Sequence, residues 1–356
     1  MNPDSFLRIL DQIKDHEIFK NRSKFQQIDP MVQLLVTLRR LGCEASSGAA
    51  LISVSQLFGI GEGTVVLYTK RVVTALMSLW VETVKWHNFG DKAAMKSRLR
   101  NSDRGIDLWQ DCVGVLDGTY FPFKFKPYPD ERAIQYFNHH KKFYGLQATV
   151  ICNDRGKVIY FSSIYPASVH DARCFKATNV YRNPGKLAFK ATSPLLHLTC
   201  LLDDYFDRNE FLLADSAYSL TKWCITPYKT PRGGVMSRDH RRFNRQLSQL
   251  RIKVEHTIGQ LKARFSFLRC IPNKGNLTEG QLREIYKWVG SAIVLHNLLY
   301  MEDPWDMDKI EMEAEENQLG RGGENYEVEN EGENEQRNIG VLRRELFFQE
   351  FVARQE

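Results

Sequence analysis

Long apolar runs are missing from this 356-residue chain, and none is able to span a membrane. The first twenty residues carry charges throughout and lack the apolar stretch of a secretion signal. An intracellular protein is expected. Cysteine is scattered: Cys43, Cys112, Cys152, Cys174, Cys200, Cys224 and Cys270 include no CxxC pair, and their number is odd. Such spacing argues against a zinc site or a disulfide framework and suits small buried apolar side chains. No Walker-type phosphate loop occurs, because Gly233-Gly234 is too isolated to form one, and a nucleotide hydrolase is disfavoured. Internal repeats are absent as well.

The chain is long enough for a large core plus an accessory domain. Its 43% hydrophobic and 26% charged residues fit an ordinary globular protein. The net charge of +6 is unevenly placed. Residues 302–335 hold fourteen acidic residues against Lys309 and Arg321, which leaves residues 1–301 at about +17. A body that basic suits an acidic polymer such as nucleic acid, although a solvated basic surface has the same composition.

Helical spacing is present over 4–20 and 30–41, the second beginning at Pro30 and stopping at Gly42. Residues 53–80 read as a short helix, a turn at Gly59-Ile60-Gly61 and a longer helix from Glu62. Leu57, Ile60, Val65 and Tyr68 are spaced to pack the pair steeply, as in a helix-turn-helix. The second helix carries Thr64, Lys70 and Arg71 as candidate DNA contacts. Residues 1–90 are thus expected to form an N-terminal helical domain, with 91–110 a basic linker helix.

The period then changes. Residues 111–125, 143–153, 157–166 and 210–215 are strand-like, and the turn Asn153-Asp154-Arg155-Gly156 makes its two flanking strands antiparallel. A long basic helix is expected over 239–268 and an apolar one over 278–300. Strands followed by helices predict an α/β domain over 111–301, a mixed sheet flanked by helices. Residues 302–338, rich in Glu, Asn and Gly, are expected to be disordered. Residues 339–356 suit an amphipathic helix with Leu342, Leu346 and Phe347 on one side.

Three acids stand out. Asp117 and Asp215 each follow a short apolar run and precede small residues, as carboxylates held at strand ends would. Each alone also fits a strand-terminating turn residue. Glu255 lies within the long helix, where an Arg251–Glu255 surface pair is the plain alternative. Converging, the three would need cations. Hard oxygen ligands suit Mg²⁺ (or Mn²⁺), and two ions about 4 Å apart serve phosphoryl displacement. Lys141, Lys142, Arg173, Lys253, Lys262 and Arg264 are candidates for the DNA backbone, each equally readable as surface charge. In the segment 165–175, Ser168 or Asp171 is positioned to cap a helix. Asp171 is otherwise an auxiliary metal acid and His170 a contact to phosphate or water.

The blocks GVLDGTYFPFK (114–124), YFNHHKKFYGLQATVICNDRGKV (136–158), YPASVHDARCF (165–175), LLADSAYSLTKWCITPY (212–228) and FNRQLSQLRIKVEHTIGQLKARFSFL (243–268) occur in this order. Together they resemble the PIF/Harbinger superfamily of DNA transposases and their host-derived relatives, over roughly 30–300. The resemblance implies an RNase H-like core with a DDE triad, Asp117, Asp215 and Glu255, and cleavage that frees a 3′-hydroxyl for attack on target DNA. Asp171 matches an acidic family position outside the triad, and Tyr120 stands where many relatives have His. The resemblance also implies double-stranded DNA as substrate, a homo-oligomer, nuclear localisation and a separate Myb-like accessory protein. No Myb-like tryptophan repeat occurs in this chain. A non-cutting DNA- or chromatin-binding descendant and a host nuclease without strand transfer are the alternatives.

Overall fold

The computed structural model describes residues 1–44, 51–102, 106–185, 205–207, 209–231, 233–273, 275, 277–301 and 331–355. Cys200 and residues 302–330 of the expected acidic segment lie outside them.

Four N-terminal helices come first: α1 (Pro3–Ile13), α2 (Pro30–Leu41), α3 (Leu51–Phe58) and α4 (Glu62–Ser78). Asn2 and Asp29 cap α1 and α2, each with Pro at the first helical position. The helix expected over 4–20 stops at Ile13, and only the turn Glu17–Phe19 follows. Helices α3 and α4 meet at 96°. Gly59 provides the left-handed turn between them at φ +61. Val36, Val54 and Val65 close this junction with Ile60 and Tyr68. Leu57, expected to pack there, is 61% exposed instead.

After α5 (Trp80–Thr83) and α6 (Phe89–Arg100) come the strands β1 (Cys112–Pro122), β2 (Phe137–Asn138), β3 (Phe143–Cys152), β4 (Val158–Phe161) and β5 (Tyr165–Pro166). The short helices α7 (Asp130–Ala133), α8 (Asp171–Lys176) and α9 (Asn179–Arg182) lie between β1 and β6 (Phe211–Leu213), which β7 (Cys224–Ile225) follows. The sheet runs β2-β3-β1-β6-β7, with β4 and β5 also paired to β3. β1 and β3 are antiparallel, as are β3 and β4 across the expected turn, while β1, β6 and β7 are mutually parallel. This is the expected mixed sheet.

Helix α10 (Arg238–Arg264) lies on one face of the sheet, and α11 (Glu279–Leu299) packs against α4. The main core contains Ile9, Leu34 and Leu76 from the N-terminal helices together with Val115, Phe211, Val254 and Val289, so it continues across the expected boundary at residue 90. A second cluster on the other sheet face holds Leu116, Ile151, Leu212 and Phe175.

The last helix, α12 (Glu331–Ala353), begins eight residues before the expected start at 339. Only its first eight residues fall in the segment expected to be disordered, and one face of the remainder is docked. Phe347 sits 5.5 Å from Trp109 and 5.0 Å from Phe211, and Phe351 sits 5.8 Å from Phe243, centroid to centroid. Tyr228 donates to Glu345 at 2.8 Å, and Arg343 donates to the carbonyls of Asn209 and Lys222. Leu342 and Leu346, expected on the docking side, are 67% and 65% exposed. The docking face is formed by Phe347, Phe348 and Phe351, one and four residues apart.

Candidate active site

Side chains alternate across a strand, so the packing of neighbours tells which way each acid points. In β1, Val115 and Phe121 belong to the core beneath α10 and Leu116 to the opposite cluster. Asp117 therefore points to the α10 side. It lies in the middle of β1, which runs on to Pro122 with Asp117 opposite Val150 on β3. The expected strand end was wrong because Gly118 continues the ladder rather than turning it. Its side is only 3% exposed, and Oδ1 accepts from the Gly118 N–H at 2.8 Å.

On the parallel neighbour β6, Leu213 packs beneath α10 and Ala214 on the opposite face, which turns Asp215 toward α10 as well. Val115 pairs with Leu213, and each acid lies two residues further along its strand. Both acids thus come two residues after a pair of neighbours on adjacent parallel strands, on the same face. Asp215 sits just past the end of β6, where its Oδ1 accepts from Ala217 N at 2.7 Å and fixes a turn.

Glu255 is on the helix that covers this face. Leu250, Val254 and Leu261 bury the inner side of α10, and Thr257 reaches Cys152 at 3.6 Å, level with Val115. The Glu255 side chain is 9% exposed and paired with Arg251, itself 14% exposed. Among the described residues, no three acidic, His or Cys side chains are close enough to hold a metal ion. The structure therefore aligns the two aspartates and keeps Glu255 with its arginine, one helix turn away along α10.

Asp171 approaches from the other face. A Cβ on Gly118 would lie 2.5 Å from Asp171 Oδ1, so only glycine admits this carboxylate against β1. Tyr120 Oη is 3.5 Å from Asp171 Oδ2. Neither Ser168 nor Asp171 caps α8: His170 occupies the N-cap position without a side-chain capping bond, Asp171 is the first helical residue, and Ser168 donates to the Gln135 carbonyl.

Tyr218 was missed by sequence reasoning. Its hydroxyl is buried without a hydrogen-bond partner, and burial first, then Asp171, Asp117 and Asp215, push its pKa well above the usual value. It remains a neutral donor amid three carboxylates. The signal available in sequence was only an aromatic three residues after Asp215.

The predicted cationic residues separate. Lys262 lies over the Phe121 ring at 5.8 Å, and burial, then Lys141 and Arg269, lower its pKa to about 8 against the opposing pull of Asp117. Lys141 and Lys142 are exposed at the tip between β2 and β3, with Lys142 at φ 57. Lys253 is half-buried on α10, and Arg173 is exposed on α8. Arg264 ends α10 beside Gly42 and acts on His296, apart from the aspartates. Lys70 is exposed on α4, where Thr64 and Arg71 are half-buried.

Asp117 on β1, Asp215 just beyond parallel β6 and Glu255 on the helix over that face are the acids that the sheet and α10 present together. Residues 116–297 match the family model described as DDE superfamily endonuclease, and the chain belongs to that family. Members of this superfamily use a divalent metal. Within it, the chain is of the Harbinger type and transposase-derived. It is 22% identical over 296 residues to the mouse protein named "Putative nuclease HARBI1", covering 83% of this chain and 74% of that one. The human protein of the same name is 20% identical over equal spans. "Protein ALP1-like" of Arabidopsis thaliana is 23% identical over 277 residues, 76% of this chain and 61% of that one. No solved structure gives a significant match.

Proposed function

We propose that this protein is a metal-dependent DNA endonuclease of the transposase type, cutting a phosphodiester bond and joining the freed 3′-hydroxyl to target DNA. The observation carrying this reading is that Asp117 and Asp215 each follow by two residues the paired Val115 and Leu213 of adjacent parallel strands, beneath the helix that holds Glu255. The antiparallel β4-β3-β1 half joined to parallel β6-β7 supports an RNase H-like core.

The residues fit a hard divalent cation. Two carboxylates face one side, and the orphaned Tyr218 hydroxyl lies among acids. Asp117 and Asp215 would hold Mg²⁺ or Mn²⁺, with Glu255 joining on release from Arg251 and Asp171 as an auxiliary acid beside His170. When bound, two such ions supply positive charge to the attacking and leaving oxygens. The Tyr218 hydroxyl, without a partner here, is available to donate a hydrogen bond to a group bound among these acids. Lys262 and Lys141 place positive charge beside Asp117 for the scissile phosphate, and Lys253 extends it along α10. The steep α3–α4 pair acts as a helix-turn-helix-like element, with Thr64, Lys70 and Arg71 toward double-stranded DNA. A Myb-like accessory protein, a homo-oligomer and a nuclear location complete the reading.

The test is Mg²⁺- or Mn²⁺-dependent cleavage of DNA carrying candidate element ends, with and without a Myb-like partner. Asp117→Asn, Asp215→Asn and Glu255→Gln should each abolish cleavage while retaining DNA binding. The Arg251–Glu255 pair favours a second reading, a DNA-binding descendant that no longer cuts. Binding without cleavage in every arm, including an Arg251→Gln chain that releases Glu255, would establish it.

A further inference from the structure

Beyond Asp117 the strand β1 outlasts its parallel neighbour: β6 ends at Leu213, level with Val115, while β1 runs on to Pro122. The chain then continues as one half of a parallel pair. Phe123 bridges Ile271, whose N–H donates to the Pro122 carbonyl and whose carbonyl accepts from the Lys124 N–H. Asn273, only 7% exposed, accepts from the Phe125 N–H with its side-chain oxygen and donates to the Phe125 carbonyl with its amide, both at 2.8 Å. The Tyr128 N–H donates to the Gly275 carbonyl at 2.8 Å. Residues 122–128 thus form a backbone-paired arm that prolongs β1 past Asp117.

Phe121 and Phe123 are buried, but Phe125 is 54% and Tyr128 67% exposed. The Phe125 ring therefore stands in water on backbone that a buried side chain grips on both sides. Apolar groups held out in this way mark contact surfaces. Cations surround the ring. Residues 120–142 hold five Lys and Arg against Asp130 and Glu131. Lys124 Nζ lies 5.2 Å from the Phe125 ring centre, and Lys141 Nζ 5.6 Å from that of Tyr120. Lys126 pairs with Asp130 at 3.1 Å, while Lys141 and Lys142 are exposed. Lys141 and Arg269 act on Lys262, which lies over Phe121, so positive charge gathers on the α10 side of β1, the side to which Asp117 points.

Lysines interleaved with exposed rings match a nucleic acid, the ammonium groups taking phosphates and a ring taking the face of a base. Asp117 and Phe125 are eight residues apart. Extended chain of that length reaches at most about 27 Å, which is about eight base pairs of duplex. Apolar side chains at such interfaces enter where base steps are unstacked.

We propose that this arm is a DNA clamp, in which Phe125 stacks on a base left unpaired within about eight base pairs of the scissile phosphate, and Lys141 and Lys142 hold the backbone beside it. The choice of DNA rests on the nuclease reading above. The stacking contact does not require that the triad cut.

The test is fluorescence anisotropy of the whole chain in EDTA, so that nothing is cut, with labelled duplexes of one length. One is fully paired, one carries a run of thymine–thymine mismatches, and one has abasic sites in place of those thymines. The mismatched duplex should bind about tenfold more tightly than the other two. Phe125→Ala should erase this preference and leave affinity for the paired duplex unchanged, whereas Phe125→Trp should keep it. Lys141→Ala with Lys142→Ala should weaken all three complexes and make the salt dependence shallower by about 1.8 in log–log slope, two phosphates of a duplex. An undiminished preference in Phe125→Ala, or equal affinity for the abasic and mismatched duplexes, would overturn the assignment. So would a change of oligomeric state in Phe125→Ala without DNA, because the ring would then pack against a second copy of the chain. A Phe125-dependent preference in a chain that never cleaves would keep this assignment and remove the nuclease reading. Cleavage by a chain with no such preference would do the reverse.

Discussion

Glu210, the residue before β6, offers the sharpest test of how the site is supported. Its side chain is fully buried, and it ion-pairs with Lys92 at 2.7 Å and Lys96 at 2.8 Å while accepting from the Asp207 N–H at 2.8 Å. Lys92 is itself only 7% exposed. Glu210→Ala takes away the carboxylate 2.7 Å from that buried ammonium, while Asp207 is 3.9 Å away and 58% exposed. Removing one partner of a buried pair destabilises by about 3–5 kcal/mol, because the other charge stays desolvated. Replacing both, as in Lys92→Met with Glu210→Leu, should recover most of that loss. Burial raises the Glu210 pKa, but the Asp207 N–H and the two lysines outweigh it, and the net shift is downward. Its contribution is therefore full above the unfolded value of 4.5 and is lost as pH falls through the lower folded value. Urea unfolding at pH 7 and at steps below 4.5 reads both effects. A loss under about 1 kcal/mol for Glu210→Ala would refute the argument from desolvation.

Three further outcomes follow from single positions. Gly118→Ala must push the Asp171 carboxylate, which would lie 2.5 Å from the new Cβ; cleavage should fall at least tenfold with the thermal midpoint nearly kept, and equal activity would show that Asp171 is not needed there. Gly340→Ala, normally favourable in a helix by about 1 kcal/mol, should be destabilising here. The added Cβ meets the Thr221 backbone at 2.7–2.8 Å, and hydrogen exchange along α12 should accelerate. His296 is buried with a pKa lowered to about 4, chiefly by burial, its Nε2 donating to the Gly156 carbonyl at 2.9 Å. The folded state keeps it neutral while the unfolded state protonates below 6.5, so stability should fall by about 3 kcal/mol as pH drops from 6.5 to 4. His296→Gln should flatten that part of the profile, and an unchanged profile would reject the assignment.

The sequence made some of this architecture legible and hid the rest for identifiable reasons. Helix α10 declares itself because it buries one stripe, α11 because its apolar second half is buried all round, and the β3–β4 turn because Asn153-Asp154-Arg155-Gly156 leaves little alternative. Asp117 misled because Asp-Gly usually turns a chain, whereas Gly118 here makes room for Asp171 from a distant helix. The short strands β2, β5 and β7, only two residues each, carry no period to read. The Glu210–Lys92–Lys96 cluster and the grip of Asn273 on Phe125 join segments more than a hundred residues apart, so no local pattern announces them. The aspartates were found, but their shared face became visible only through the β1–β6 register.

Phe347 closes an aromatic seam with Trp109 and Phe211, both of which precede it by more than a hundred residues. During synthesis this aromatic seam stays open while residues 302–346 are made. At about 5–20 residues per second, that interval lasts some seconds. During it the β7 border against which α12 packs is uncovered.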